Sequence, residues 1–269
     1  IFVMNSRNFA LPLQQFDNPA FPAKPGSAGT LDLWTWALEN SLFEDKMIAI
    51  FSMLFGAGIV MAAARSSRPA FIHHNRMFWL LLIGLAHAFG LWYGDILNTY
   101  AICGLFLYPF RRLRAALLIA LGTAILLIAV IARVGPPMVD TISPPSSSAS
   151  ASESESRADR IWRESIRDEK SAYTGSYVDL ARWRARLNIF WHWDGCITFN
   201  FWRCGGFMLI GMGLVQLGVL SAERSSSFFW ALLIAGYTAG LILFVVGFWP
   251  QLARALGRAP DMPAEARRI

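Results

Sequence analysis

The sequence predicts an all-α polytopic transmembrane helix bundle with an extracytoplasmic, partly disordered insertion, on three observations. Hydrophobic residues make up 55% of the 269-residue chain and charged residues only 16%, against roughly 25% charged in a typical soluble domain. Met77 to Phe110 holds two long apolar runs that break only at His87 and at Gly94-Asp95-Ile96. The 20 Phe and 11 Trp are residue types that gather where acyl chains meet headgroups.

Taken in order, Ile1 to Met4 read as the remnant of a first transmembrane helix, because the chain opens inside an apolar segment. Residues 5–46 form an extracytoplasmic loop, and 47–134 form four transmembrane helices, over about Met47 to Ala64, Met77 to Tyr93, Ile96 to Phe110 and Ala115 to Val134. The third is short for a hydrocarbon core of roughly 30 Å. Residues 199–249 supply two more, Phe199 to Leu220 and Phe228 to Trp249. The remaining 250–269 are a tail on a chain expected to be truncated.

Orientation follows from the short connections. Arg65, Arg68 and Arg76 lie between the first two spans, and Arg111, Arg112 and Arg114 between the third and fourth. Basic loops stay on the cytoplasmic side. Asn5 to Lys46 is acidic, with Asp17, Asp32, Glu39, Glu44 and Asp45 against Arg7, Lys24 and Lys46. That loop, Gly94-Asp95 and the segment 135–198 are therefore expected outside. The same clustering turns the formal charge of +6 into a topology signal and argues against nucleic acid as a partner; the partner implied is a lipid bilayer.

The insertion has two parts. Ser143 to Ser156, SPPSSSASASESES, offers nothing to bury and reads as a disordered linker. Beyond it, Ser176 and Asp179 have capping-box spacing, and Leu180, Trp183, Leu187 and Phe190 follow on one helical face. An amphipathic helix over about 176–190 is expected, either lying on the outer membrane surface or packed on the bundle.

Polar groups inside apolar spans need a reason. His87 lies roughly 9 Å below Tyr93 at 1.5 Å per residue, and Asp95 sits just past the end of the same span. Eight residues would separate them by about 12 Å on one continuous helix, so contact requires the chain to fold back at Gly94. Asp95 otherwise reads as a mouth residue opening the next helix, where a carboxylate suits exposed amides. Arg203 enters the fifth span from the same side, about 6 Å deep, and Glu44, Asp45 and Asn98 stand at similar heights. The bland alternatives are a snorkelling Arg203, a His87 that only hydrogen-bonds a neighbouring helix, and a capping Asp95.

Other features point to packing or anchoring. WHWDG (Trp191 to Gly195) reads as a membrane-surface anchor before a sugar platform, and His73 and His74 as solvated loop residues. The glycines of FGAG (Phe55 to Gly58) and GGFMLIGMG (Gly205 to Gly213) suit close helix contact. Cys103, Cys196 and Cys204 form no CxxC pair, and Cys103 and Cys204 sit in apolar runs, so neither a disulfide framework nor a metal site is expected. No Walker loop, dinucleotide fingerprint, HExxH or GxSxG motif occurs.

At these motifs the chain resembles the YeiB-like family of bacterial polytopic membrane proteins. The matching residues are FSMLFGAG (Phe51 to Gly58), the block of Arg76, His87 and Gly94-Asp95-Ile96-Leu97, and YPFRRL (Tyr108 to Leu113). GSY (Gly175 to Tyr177) with a later Arg, and Arg203 followed by MLIGMGLVQLGVL (Met208 to Leu220), also fit. The family is distantly similar to membrane acyltransferases, the superfamily of heparan-alpha-glucosaminide N-acetyltransferase, in which a membrane-embedded His is central. The resemblance implies a multi-pass protein of the bacterial cytoplasmic (inner) membrane that moves an acyl group to an extracytoplasmic glycan or lipid acceptor. His87 would be the general base, Asp95 would shape the mouth or orient Arg203, and Arg203 would hold an anionic acceptor or developing negative charge. Acyl-CoA, if it is the donor, would arrive on the basic side at Arg65, Arg68 and Arg76. The competing readings are a transporter or permease component, whose buried polar groups mark a path, and a non-catalytic membrane protein.

Overall fold

The computed structural model describes residues 46–142, 164–190 and 200–247, together with Thr35, Leu38, Glu39, Phe43 and Arg160. The Ser143 to Ser156 linker, the WHWDG motif, Cys196, Glu44 and Asp45 lie outside the described residues. Among the described residues the fold is all-helical. The longer helices are α1 Lys46–Ala64, α2 Pro69–Gly90, α3 Leu97–Leu107, α4 Ala115–Ile142, α5 Tyr177–Phe190, α6 Phe201–Gln216 and α7 Ser226–Gly247. The chain divides into two units. One combines Ile48–Arg160 with Ser171–Glu223 and holds every candidate site residue; the other contains Arg224–Ile269 and so α7.

Local chemistry sets the helix ends. Pro69 stands at the first positions of α2, where its missing N–H is no loss and its fixed φ suits the helix. The helix therefore begins eight residues before the apolar run, and the polar turn His73 to Arg76 is helical. The α3 ladder stops at Leu107 because Pro109 cannot donate back to the preceding turn. A tighter 3-10 turn, Tyr108–Arg112, follows in place of the end of the expected third span. Helix α6 closes on Gly218, whose φ of +71° is the left-handed geometry of a Schellman end. Gly218 N–H donates to Val215 O and Val219 N–H to Leu214 O.

Within the larger unit, α6 packs along α4 and on α3, α2 pairs with α3, and α5 lies on α2. The core gathers Ile59, Tyr100, Cys103, Leu107, Leu118, Cys204, Met208, Leu209 and Met212. Glycine lets the backbones approach. A Cβ at Gly56 would fall on the Met208 carbonyl and one at Gly211 on the Met53 carbonyl, so α1 and α6 touch main chain to main chain. Gly84 admits Asn98 N at 2.6 Å from where its own Cβ would be. Close helix contact is thus what most of these glycines do; Gly58 faces open space, and Gly205 meets only the Leu107 side chain at an ordinary 3.7 Å.

Two described helices, Lys46–Ala64 and Ala115–Ala132, are long and apolar enough to cross a membrane. Of the others, α2 spends its first turns on polar residues, α3 and α6 have only 11 and 16 residues, and α7 offers a shorter apolar stretch, Ser226–Ile242.

Candidate functional site

His87 and Asp95 meet. Helix α2 ends at Gly90, where Leu91 N–H and Trp92 N–H both donate to His87 O at 2.8 Å. The chain then doubles back through Gly94, where a Cβ would sit 2.7 Å from the Trp92 ring. This fold-back corrects the expectation of a 12 Å separation. His87 Nδ1 and Asp95 Oδ2 are 2.7 Å apart. The Asp95 side chain is 1% exposed and that of His87 33%, so the carboxylate is sealed and the imidazole is not. Trp92 stands edge-on to the ring at 6.4 Å.

Asp95 also caps α3. Its Oδ1 accepts Asn98 N–H at 3.2 Å, so the capping reading and the pairing reading are both true of one carboxylate. Asp95 thus holds His87 through Oδ2 and the first turn of α3 through Oδ1. Arg203 is half-buried and donates Nη2 to Asn200 Oδ1 at 3.1 Å. Tyr100, a buried ring of α3, pairs its hydroxyl with Ser52 Oγ at 2.9 Å. Arg76 is exposed and lies eleven residues before His87 on α2, about 16 Å along the axis. The structure thus pairs His87 with Asp95 and sets Arg76 apart from them.

Helix α5 begins as its sequence signals. Ser176 Oγ donates to Asp179 Oδ2 at 2.6 Å, and Asp179 N–H donates back to Ser176 Oγ at 3.3 Å. Those Ser176 bonds hold the Asp179 carboxyl below its usual range. The helix packs against α2. Trp183 is buried, edge-on to Tyr93 at 5.9 Å and Tyr173 at 5.7 Å. Asn188 Nδ2 donates to Ala88 O, and Tyr177 Oη to Gly90 O at 2.8 Å. Tyr177, Arg184 and Asn188 stand at i, i+7 and i+11, a helical stripe that could have flagged this contact.

A second cluster was missed by sequence reasoning. His73 is 8% exposed, not solvated as expected, with Nε2 3.0 Å from Gly104 O. Its ring stacks on Tyr108 at 4.3 Å, and Arg111 covers Tyr108 at 3.6 Å from the ring centroid. His74, by contrast, is exposed. Burial holds the His73 pKa below its ordinary value, and the charges of Arg76 and Arg111 act the same way. A histidine depressed in the fold favours the neutral form, so stability is full above the unfolded pKa of about 6.5. It should decline as pH falls through that value toward the folded one. Thermal unfolding of the purified protein at pH 7.5 and 5.5 should show the decline, and His73→Gln should lessen it. An unchanged pH slope in His73→Gln would remove His73 from the effect.

Comparison with known proteins follows the geometry. The chain is 34% identical over 112 residues to the uncharacterized protein YeiB of Escherichia coli (strain K12), a match covering 42% of this chain and 28% of that one. It is 36% identical over 108 residues to the uncharacterized protein YxaH of Bacillus subtilis (strain 168), covering 36% and 27%. Over these stretches the chain resembles both proteins. Each match spans under a third of the relative, and neither name carries an activity, so the YeiB-like likeness assigns no chemistry to His87. No protein-family profile matches the chain, and no solved structure matches it.

Proposed function

We propose that the chain is part of a multi-pass protein of the bacterial cytoplasmic membrane that transfers an acyl group to an extracytoplasmic glycan or lipid hydroxyl. The membrane reading is supported by exposure. The apolar windows of Lys46–Ala64 and Ala115–Ala132 are only 22% and 17% buried, whereas the core helix of a soluble protein would be mostly covered. Phe71, Trp79, Ile83 and Leu127 are each more than half exposed, and large contiguous apolar surface calls for lipid or a partner.

The catalytic reading rests on one observation, the 2.7 Å contact between a sealed carboxylate and a partly exposed imidazole. Asp95 accepts the Nδ1 proton and leaves Nε2 as the basic nitrogen, the arrangement of a base oriented by a carboxylate. Nε2 takes the proton of the acceptor hydroxyl as its oxygen bonds to the acyl carbon. The thioester C–S bond breaks, and the proton passes to the leaving thiolate. Arg76 suits the phosphates of an acyl-CoA donor on the basic side. Arg203 suits an anionic acceptor or the charge developing on the carbonyl oxygen.

His87→Gln tests this reading. Interhelical hydrogen bonds in membranes contribute only about 0.6 kcal/mol on average, so the fold should survive, while loss of a general base typically costs 10²–10⁴-fold in rate. Envelope glycans and lipids would be compared by mass spectrometry in cells with the full-length protein, the variant, or neither. Protein-dependent acylation that persists unchanged in His87→Gln would remove His87 from the mechanism. Altered uptake or efflux with no protein-dependent acylation would favour a transporter.

A further inference from the structure

We infer that Arg184 is a second anion-holding residue of this site and receives a phosphate-ester oxygen of the acceptor. The inference rests on the reading of His87 and Asp95 as the reacting pair. Arg184 is half-buried on α5, and its Nη1 reaches Gly90 O at 3.4 Å, near the limit of a hydrogen bond. Gly90 follows His87 by three residues, so the two share a face of α2 one turn apart. Asn188, one turn along α5, fixes the register by donating to Ala88 O. The α5 stripe is therefore pinned against the last turn of α2, the turn that follows His87.

The guanidinium is underused there. Its Nε is buried without an acceptor among the described residues, and a buried donor in that state calls for an explanation. The Tyr173 ring is 6.0 Å from the guanidinium carbon and offers a π face, not an oxygen. A fork with spare N–H groups matches the oxygens of phosphate in a way a point charge does not. Phosphate is the anion expected at this level, because Tyr93, Tyr173, Tyr177 and Trp183 gather around the same helix end. Such rings mark the headgroup layer. A lipid headgroup and a soluble phosphate ester both carry that group, and the test separates the two.

The full-length protein would be placed in phosphatidylcholine nanodiscs. Binding of glycerol phosphate would be measured there, and binding of phosphatidylglycerol would be measured by its enrichment around the protein in mixed discs. Arg184→Gln should weaken one of these by about 10-fold or more, the loss of a charge-assisted hydrogen bond. The arm affected names the source. Tyr177→Phe controls for docking, since it removes the other Gly90 bond yet should retain binding. His87→Gln should also retain binding while losing acylation, so failure of the catalytic reading shows separately. Wild-type affinity in Arg184→Gln, absence of binding in both arms, or an equal loss in Tyr177→Phe would overturn the proposal.

Discussion

If His87 is the general base proposed above, Asp95→Asn is expected to lower acyl transfer by about 10²–10⁴-fold while leaving the helix start intact. The physical reason lies in which proton the imidazole keeps. As a carboxylate, Asp95 only accepts, so His87 must carry its proton on Nδ1 and hold its lone pair on Nε2. An asparagine amide can donate to Nδ1, which favours the opposite tautomer and puts the proton on the nitrogen that should act as base. The same change in the Ser-His-Asp triad of a serine protease costs about 10⁴-fold with geometry preserved. The Asn carbonyl can still accept Asn98 N–H, so α3 should begin as before. The measurement is the acylation assay in the full-length protein, with circular dichroism as the fold control. Activity within a few-fold of wild type in a folded Asp95→Asn protein would mean that the contact is structural. A loss in Asp95→Ala alone would point to the sealed cavity it leaves and not to tautomer control.

The apolar runs made the helices legible because a long run needs burial in lipid or protein whatever its neighbours do. Their ends were less legible. Pro69 extends α2 backward into a polar turn, and Pro109 cuts α3 short; hydropathy counts neither effect. The capping box at Ser176 and Asp179 was readable because its partners are three residues apart. The His87–Asp95 contact depends on a reversal at Gly94 that spacing permits but does not require. Burial of His73 depends on Tyr108 and Gly104, more than thirty residues away, and no local pattern announces it. The place of Arg184 beside Gly90 is likewise set by how its helix docks, which no local pattern encodes.

Gly211→Ala and Gly56→Ala are expected to be the most damaging single-methyl changes in the larger unit, and Gly58→Ala nearly harmless. All three replace glycine inside a helix, where alanine by itself gains up to about 1 kcal/mol. The difference lies in what the added methyl meets. At Gly211 it lands on the Met53 carbonyl and at Gly56 on the Met208 carbonyl, whereas at Gly58 nothing stands within 4 Å. Side chains can change rotamer to accommodate a methyl, but a helix carbonyl is held by its own ladder. The helices must separate, and the contacts along α1 and α6 loosen with them. Overpacking costs about 1–3 kcal/mol even where side chains can shift, so the backbone clash should reach the upper end. That is a large share of a total stability near 5–15 kcal/mol. Thermal unfolding of the solubilised full-length protein, followed by size-exclusion chromatography, would rank the variants. Equal unfolding temperatures for Gly58→Ala and Gly211→Ala would contradict the close approach of α1 and α6. A drop confined to Gly56 and Gly211 would tie the stability of the bundle to that one crossing.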